Sequence, residues 1–168
     1  MEDDLKQSLR ALGHSQAVAA LGTLHQSEPE VSMVPYVLFG ASSGFLIHVS
    51  TLSGHTQDML EHPRVSLMVT ASEQTLDENG EPTAPQALPR VIANGTAKQI
   101  PRPGEEYATG RAAYLRRFPQ TGQIFELADF SLFLVTVQSA RYIAGFGKAR
   151  SLDADSWRQI FRERGAQQ

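Results

Sequence analysis

Residues 44–69, GFLIHVSTLSGHTQDMLEHPRVSLMV, decide how this chain is read. Phe45 to Ser50 is strand-like, with Phe45, Ile47 and Val49 on one face and Leu46, His48 and Ser50 on the other. It runs into a hydroxyl-rich turn of Ser50, Thr51, Ser53, Gly54, His55 and Thr56. Ser53 is a good N-cap for a helix over 54–61, with Met59 and Leu60 on its buried side, and His62-Pro63 ends that helix. Val65 to Thr70 returns as a strand. The first N–H groups of a helix lack intrahelical partners and the helix dipole favours negative charge there. Hydroxyls and an imidazole at that turn suit a phosphate monoester.

Upstream, Leu5, Leu9 and Leu12 recur at helical spacing over 3–12, and Gly13 stops the helix. Residues 17–25, AVAALGTLH, read as a strand, and Gln26 to Glu30 as a turn. Val31 to Phe39 is apolar on both faces, which implies burial on both sides. Pro35 cannot donate to a ladder, so an edge or bulge is expected there. Downstream, residues 72–89 form a polar loop that is long for a compact domain. Val91 to Gln99 is a strand with Gly95 marking a bulge or a close backbone approach. A helix over 104–117 and a short helical piece from Pro119 follow. Strands at Asp129 to Val137 and Arg141 to Gly147 come next, then a helix from Asp153 to Arg164 with Trp157, Ile160 and Phe161 as its apolar stripe.

Six or seven strands in antiparallel-friendly order, with no regular alternation of strand and long helix, argue against a doubly wound parallel sheet. The expected fold is mainly β: a six- to seven-stranded antiparallel split β-barrel with peripheral helices, occupying 1–168 as one domain.

Composition narrows the function. The net charge of -3 gives no reason to expect nucleic acid as the main partner. The chain has no cysteine, which excludes disulfides, thiolate zinc sites, iron–sulfur clusters and cysteine nucleophiles. The acidic, amphipathic N-terminus has neither the basic nor the apolar region of a signal peptide, and no apolar run approaches a membrane span. A cytoplasmic protein without nucleic-acid or membrane partners is expected. His14 and His25 flank the first strand without an i,i+4 pair or an accompanying carboxylate pattern, so no metal site is expected. No Walker motif, dinucleotide fingerprint or nucleophile elbow is present.

The order helix, three strands, polar turn, helix ending in His62-Pro63-Arg64-Val65-Ser66-Leu67, strand, loop, strand resembles the FMN-binding split barrel of the pyridoxamine 5'-phosphate oxidase superfamily. Leu88-Pro89-Arg90, the Gly95 strand and the segment from Arg141 to Ala149 with Gly145-Phe146-Gly147 make the chain most similar to the HugZ-type haem-utilisation branch. The resemblance implies a homodimer with flavin at the shared interface. It places Met33, Val34, Pro35 and Tyr36 beside the isoalloxazine ring. His48, Val49 and Ser50 would contact the ring or ribityl chain, and Ser53, Gly54 and His55 the phosphate. Arg90 would supply a further polar contact. Catalytic residues are not implied.

Two departures stand out. Oxidases of this superfamily carry arginine where this chain has Met33, and an Arg-Lys pair where it has Gly54-His55. FMN is thus expected to bind weakly, since charge-assisted bonds are about twice as strong as neutral ones. The HugZ-type proteins continue into a C-terminal domain with an iron-ligating histidine, whereas the last histidine here is His62. The expected function is an FMN-binding oxidoreductase of unknown substrate and electron acceptor. The alternatives are a haem or tetrapyrrole protein using the same cleft, or a cofactor-free barrel acting through protein contacts. Several residues also have plainer readings. Ser53 also reads as an N-cap alone, His55 and Arg90 as surface residues, His48 as an interface histidine, and Gly145-Phe146-Gly147 as a bulge.

Overall fold

The computed structural model describes residues 2–72, 75–145 and 147–162. The chain runs α1 (Glu2–Ser15), β1 (Val18–His25), β2 (Glu28–Pro35), β3 (Val37–Phe39), β4 (Gly44–Ser50), α2 (Gly54–Glu61) and β5 (Arg64–Thr70). It continues with β6 (Arg90–Gln99), α3 (Glu105–Arg117), β7 (Phe130–Gly145), β8 (Lys148–Asp153) and α4 (Ala154–Arg162). Short 3-10 turns cover Pro85–Ala87 and Pro119–Glu126.

All ladders are antiparallel, in the order β2-β1-β5-β6-β7-β4-β3, with β8 also paired to β7. The two ends of that path, β2 and β3, are consecutive in sequence and separated only by Tyr36. The sheet therefore curls until its ends meet, which is the split barrel expected. The break falls just after Pro35, whose nitrogen faces away from β1 on the edge of β2, while Tyr36 still donates its N–H to Ala17 O at 3.2 Å. The expected strand over 31–39 is thus two strands, and β2 begins at Glu28, so only Gln26 and Ser27 form the turn.

Among the described residues, eight strands replace the six or seven expected. The strands expected over 129–137 and 141–147 are merged in one 16-residue strand, β7 (Phe130–Gly145), which serves β4, β6 and β8 in turn. Its register shift between Ile143 and Gly145 immediately precedes the Gly145-Phe146-Gly147 segment, of which Phe146 lies outside the described residues. A second register shift falls at Asn94/Gly95, where a Cβ would stand 2.3 Å from Thr136 O. Only glycine permits that approach.

The barrel core contains Leu21, Val34, Tyr36, Phe45, Ile47, Leu67, Phe133 and Val135, all nearly inaccessible. α1 and α4 close one side. Trp157 donates from Nε1 to Ser43 O at 3.0 Å and stacks on Phe45. A second cluster lies outside the barrel, where α3 and the Pro119–Glu126 turn bring Tyr114 and Phe125 onto Leu46, Ile100 and Leu132. These two clusters bury Phe133, Val135 and Val137 on one face of β7 and Leu132 on the other within one protomer, while Thr136 is exposed. On α2 the buried side is Thr56, Asp58 and Met59, while Leu60 is 52% exposed, contrary to the sequence expectation.

Candidate functional site

The turn after β4 is built as the sequence suggests, but its charges are not those of a phosphate cradle. Ser50 Oγ donates to Asp129 Oδ2 at 2.9 Å and accepts from the Leu52 N–H at 3.1 Å. Thr56 Oγ1 donates to Ser50 O at 2.6 Å. Ser53 has the extended N-cap conformation, yet its hydroxyl makes no capping bond. The His55 imidazole is half-buried, and its Nε2 is sealed off without a hydrogen-bond partner. Burial pushes the His55 pKa below its ordinary value, against the opposing pull of Asp58. The turn therefore offers a carboxylate and a predominantly neutral imidazole.

Arg90 does not join this turn within one protomer. Its guanidinium folds back on the loop, donating to Gln86 O and Leu88 O at 3.1 Å each. Its backbone pairs with Ile143, whereas Ser50 pairs with Phe130 at the other end of β7. Thirteen strand positions separate the two, on the order of 40 Å of extended chain. The expected ring contacts divide in the same way. Val34, Tyr36 and Val49 point into the barrel, and Tyr36 donates from its hydroxyl to Gly13 O at 2.8 Å. Met33 is 64% exposed on the outer face, and Pro35 is partly so.

His48 leaves the barrel interior as its strand parity requires, but aromatic side chains of its own chain cover it. Phe125 stacks on the imidazole at 3.7 Å and 8°, and Phe130 and Tyr114 close it at 5.2 and 5.7 Å. Its Nε2 is buried and unpartnered. Burial, helped by the Arg102 guanidinium, lowers its pKa to about 4. A flavin contact at this side chain would have to displace Phe125. Beside the cluster lies a cleft of about 280 Å³ lined by Ile100, Arg102, Tyr107 and Phe130, in which Arg102 covers the Tyr107 ring at 4.6 Å.

A third arrangement was not anticipated. Asp58, on the inward face of α2, is 2% exposed. Thr23 Oγ1 donates to its Oδ2 at 2.8 Å, and His25 Nδ1 lies 2.7 Å from its Oδ1. The His25 side chain is half in solvent. The hydrogen bond to Asp58, then its charge, raises the His25 pKa. Burial works to raise the Asp58 pKa, but hydrogen bonds from His25 and Thr23 outweigh it and hold the carboxyl below its usual value. The sequence did carry a signal: an aspartate next to Met59 on a helix that caps an apolar barrel must find a partner. Only the hairpin geometry reveals that β1 supplies it. Among the described residues, no group of three or more His, Asp or Glu is placed to hold a metal ion.

Residues 3–159 match the family model described as CREG, beta-barrel. The chain belongs to this family. Among relatives of the CREG β-barrel in this chain is the chloroplastic heme oxygenase HOZ of Arabidopsis thaliana. It is 26% identical over 125 residues, covering 74% of this chain and 35% of that protein. A heme binding protein from Mycobacterium smegmatis superposes with a TM-score of 0.79 at 26% identity, covering 92% of this chain and 60% of that one. The heme storage protein HutZ from Vibrio cholerae shares the fold at a TM-score of 0.67 and 24% identity, covering 79% and 89%. The chain thus spans about a third of the length of the plant relative and three-fifths of the mycobacterial one.

One surface of this CREG β-barrel is conspicuously apolar. Cross-strand pairing sets Met33, Ala20, Met68 and Ile92 in a row over the outer face of β2, β1, β5 and β6, with Val31 beside Gly22. Val31 is 73% exposed and Met68 38%. Among the described residues, no helix is long and apolar enough to cross a membrane.

Proposed function

We propose that this chain is a haem-binding protein that works as a homodimer, with the row Met33, Ala20, Met68 and Ile92 facing a second copy and the tetrapyrrole held at that contact. The observation that carries the reading is the chemistry of residues 50–56. A flavin phosphate calls for cations, and this turn presents the Asp129 carboxylate and an imidazole biased toward neutrality. An iron porphyrin asks for an apolar surface, a soft or imidazole donor and no phosphate cradle. The exposed Met33, Met68 and Val31 supply an apolar surface with soft thioether donors that fits that demand. The haem names of the Arabidopsis and Mycobacterium relatives support the same reading. A bound haem would supply redox or oxygen chemistry, and the barrel's own residues would bind it, orient it and limit water.

The test is a parallel titration of hemin and FMN at one pH and salt concentration. Saturable growth of a Soret band is expected, with FMN at least tenfold weaker. Retention of FMN through desalting, together with no uptake of hemin, would reverse the assignment. Sedimentation should show dimers, and Met33→Lys combined with Met68→Lys should shift them to monomers. A stable pair of this kind buries more than about 1,200 Å² in total.

A further inference from the structure

We infer that the cleft beside the His48 cluster is a second binding site, for a small aromatic carboxylate, with Arg102 taking the carboxylate and Phe130 and Tyr107 receiving the ring. The inference stands apart from the haem reading. Gln99, which lines the cleft, and Ile92, in the apolar row, are seven positions apart on β6, roughly 23 Å of strand.

The cleft holds about 280 Å³. Pockets for drug-sized ligands run from about 300 to 1,000 Å³, so this one suits a single ring and not a macrocycle. Its apolar lining is Ile100, Tyr107, Ala128 and Phe130, against which stand Arg102, Gln99 and Ser131. An apolar wall with a few placed polar groups is the usual make-up of a ligand site. Arg102 and Gln99 are exposed, so a ligand reaches them from solvent.

Among the described residues that line the cleft, Arg102 is the one cation. Its guanidinium lies over the Tyr107 ring at 4.6 Å, and one Nη donates to Phe125 O at 3.3 Å. Arg111 of α3 pairs with Glu126 at 2.8 Å, whereas Arg102 has no carboxylate partner among the described residues. A guanidinium carries five N–H donors in a planar fork that matches a carboxylate with two parallel bonds. The Tyr107 face holds that fork in one plane. One cation suits a monoanion, and Glu105 and Glu106 in the first turn of α3 disfavour a dianion such as a phosphate monoester. Gln99 Nε2 donates to Ser131 Oγ at 3.0 Å, which leaves the serine proton for the ligand.

Phe130 belongs both to the cleft and to the cage around His48, 5.2 Å from the imidazole. A ring docked on Phe130 therefore lies one aromatic layer from His48, whose ring protons report its arrival. The cavity between α1 and α4, about 220 Å³, offers Lys6 over Leu5, Leu9 and Ile160 but no accessible ring, because Tyr142 is buried with its hydroxyl on Ser8.

Benzoate is titrated into the full chain at fixed pH and ionic strength, followed by calorimetry and by NMR of the His48 ring protons. Benzyl alcohol, acetate and phenyl phosphate are titrated beside it. Benzoate should bind saturably, shift the His48 signals and bind at least about tenfold more tightly than each of the three. Arg102→Ala should weaken benzoate by at least about tenfold, and Arg102→Lys, which keeps the charge without the fork, should recover only part of that. Ala128→Phe, at an exposed position, fills the cleft without touching Arg102 and should abolish binding even if Arg102→Ala loosens the Pro119–Glu126 turn. Lys6→Ala should bind as wild type does. Equal affinity for benzoate and benzyl alcohol would remove Arg102 from the site, and phenyl phosphate binding as tightly as benzoate would overturn the monoanion. Wild-type affinity in both Arg102→Ala and Ala128→Phe would place benzoate elsewhere. Absence of saturable benzoate binding would overturn the site itself, whatever the outcome with hemin.

Discussion

His25 and His48 stand on two strands of one barrel, β1 and β4, and their surroundings drive them in opposite directions. His25 is half in water and tied to a buried carboxylate, so its charged form is favoured. His48 is buried among three aromatic rings near a guanidinium, so its neutral form is favoured down to about pH 4. Exposure alone does not explain the contrast. The neighbour does: a carboxylate anchored on α2 in one case, Phe125 and Arg102 in the other. A residue type that looks equivalent along the sequence becomes a half-open member of an ion pair at one place and a sealed packing element, neutral down to about pH 4, at the other.

The strongest way to break this contrast is to remove the stacked ring. Phe125→Ala should cost about 3–5 kcal/mol of stability in urea unfolding. It should also let the His48 pKa climb toward 6.5, read from its imidazole protons by NMR. A loss below 1 kcal/mol would mean that the second cluster is looser than its geometry implies.

Acid should expose the same residue next. A base whose pKa is lowered on folding stabilises the native state fully above its unfolded value, and that contribution is lost as pH falls through the folded value. For His48 the window runs from pH 6.5 down to about 4. The loss should be on the order of 2 kcal/mol once solvent screening is allowed for. His48→Leu should flatten the slope in that window, and an unchanged slope would move the acid-sensitive group elsewhere.

Asp58→Asn sharpens the comparison from the other side. It removes the buried charge but keeps the shape, and should cost about 1–2 kcal/mol at pH 7 while returning the His25 pKa toward 6.5. Because the Asp58 pKa is lowered on folding, its contribution in wild type is present above pH 3.8 and is lost as pH falls below that. A His25 titration unmoved by this change would refute the pairing. The smallest effect is expected of His25→Asn. The His25 pKa is raised on folding, so its contribution is complete below pH 6.5 and disappears as pH rises past its folded value. The variant should therefore differ from wild type more at pH 6 than at pH 9. The reverse order would count against the ion pair.

Much of the architecture was legible because local rules agreed with the fold. Helix 54–61 was bounded by Ser53 and His62-Pro63, and the edge position of Pro35 and the register shift at Gly95 followed from a missing N–H and a missing Cβ. Two misjudgements share one cause. β7 was read as two strands and β8 was not anticipated, because a bent strand that changes partners carries no signature in its own residues. The candidate site was less legible. His48 has the right parity for an outward ligand contact, but no local pattern shows that Phe125, 77 positions later, lies on it. Arg90 enters a strand at a plausible place, but only the register of β6 on β7 puts it at the far end of the barrel. The His25–Asp58 pair joins residues 33 positions apart through the packing of a helix on a hairpin.

The length of β7 also bears on how the chain is made. β1, β2, β5 and β6 pair among themselves, so this half of the sheet can form once residue 99 has left the ribosome. β4 has only the three-residue β3 beside it until β7 is synthesised. At about 5–20 residues per second, the stretch from 99 to 145 leaves β4 and the open edge of β6 bare for several seconds. Nascent chains arrested near residue 128 should thus be cut readily by protease within 44–50 and resist within 18–35. The half-built barrel, with two unpaired edges, is where aggregation competes with completion.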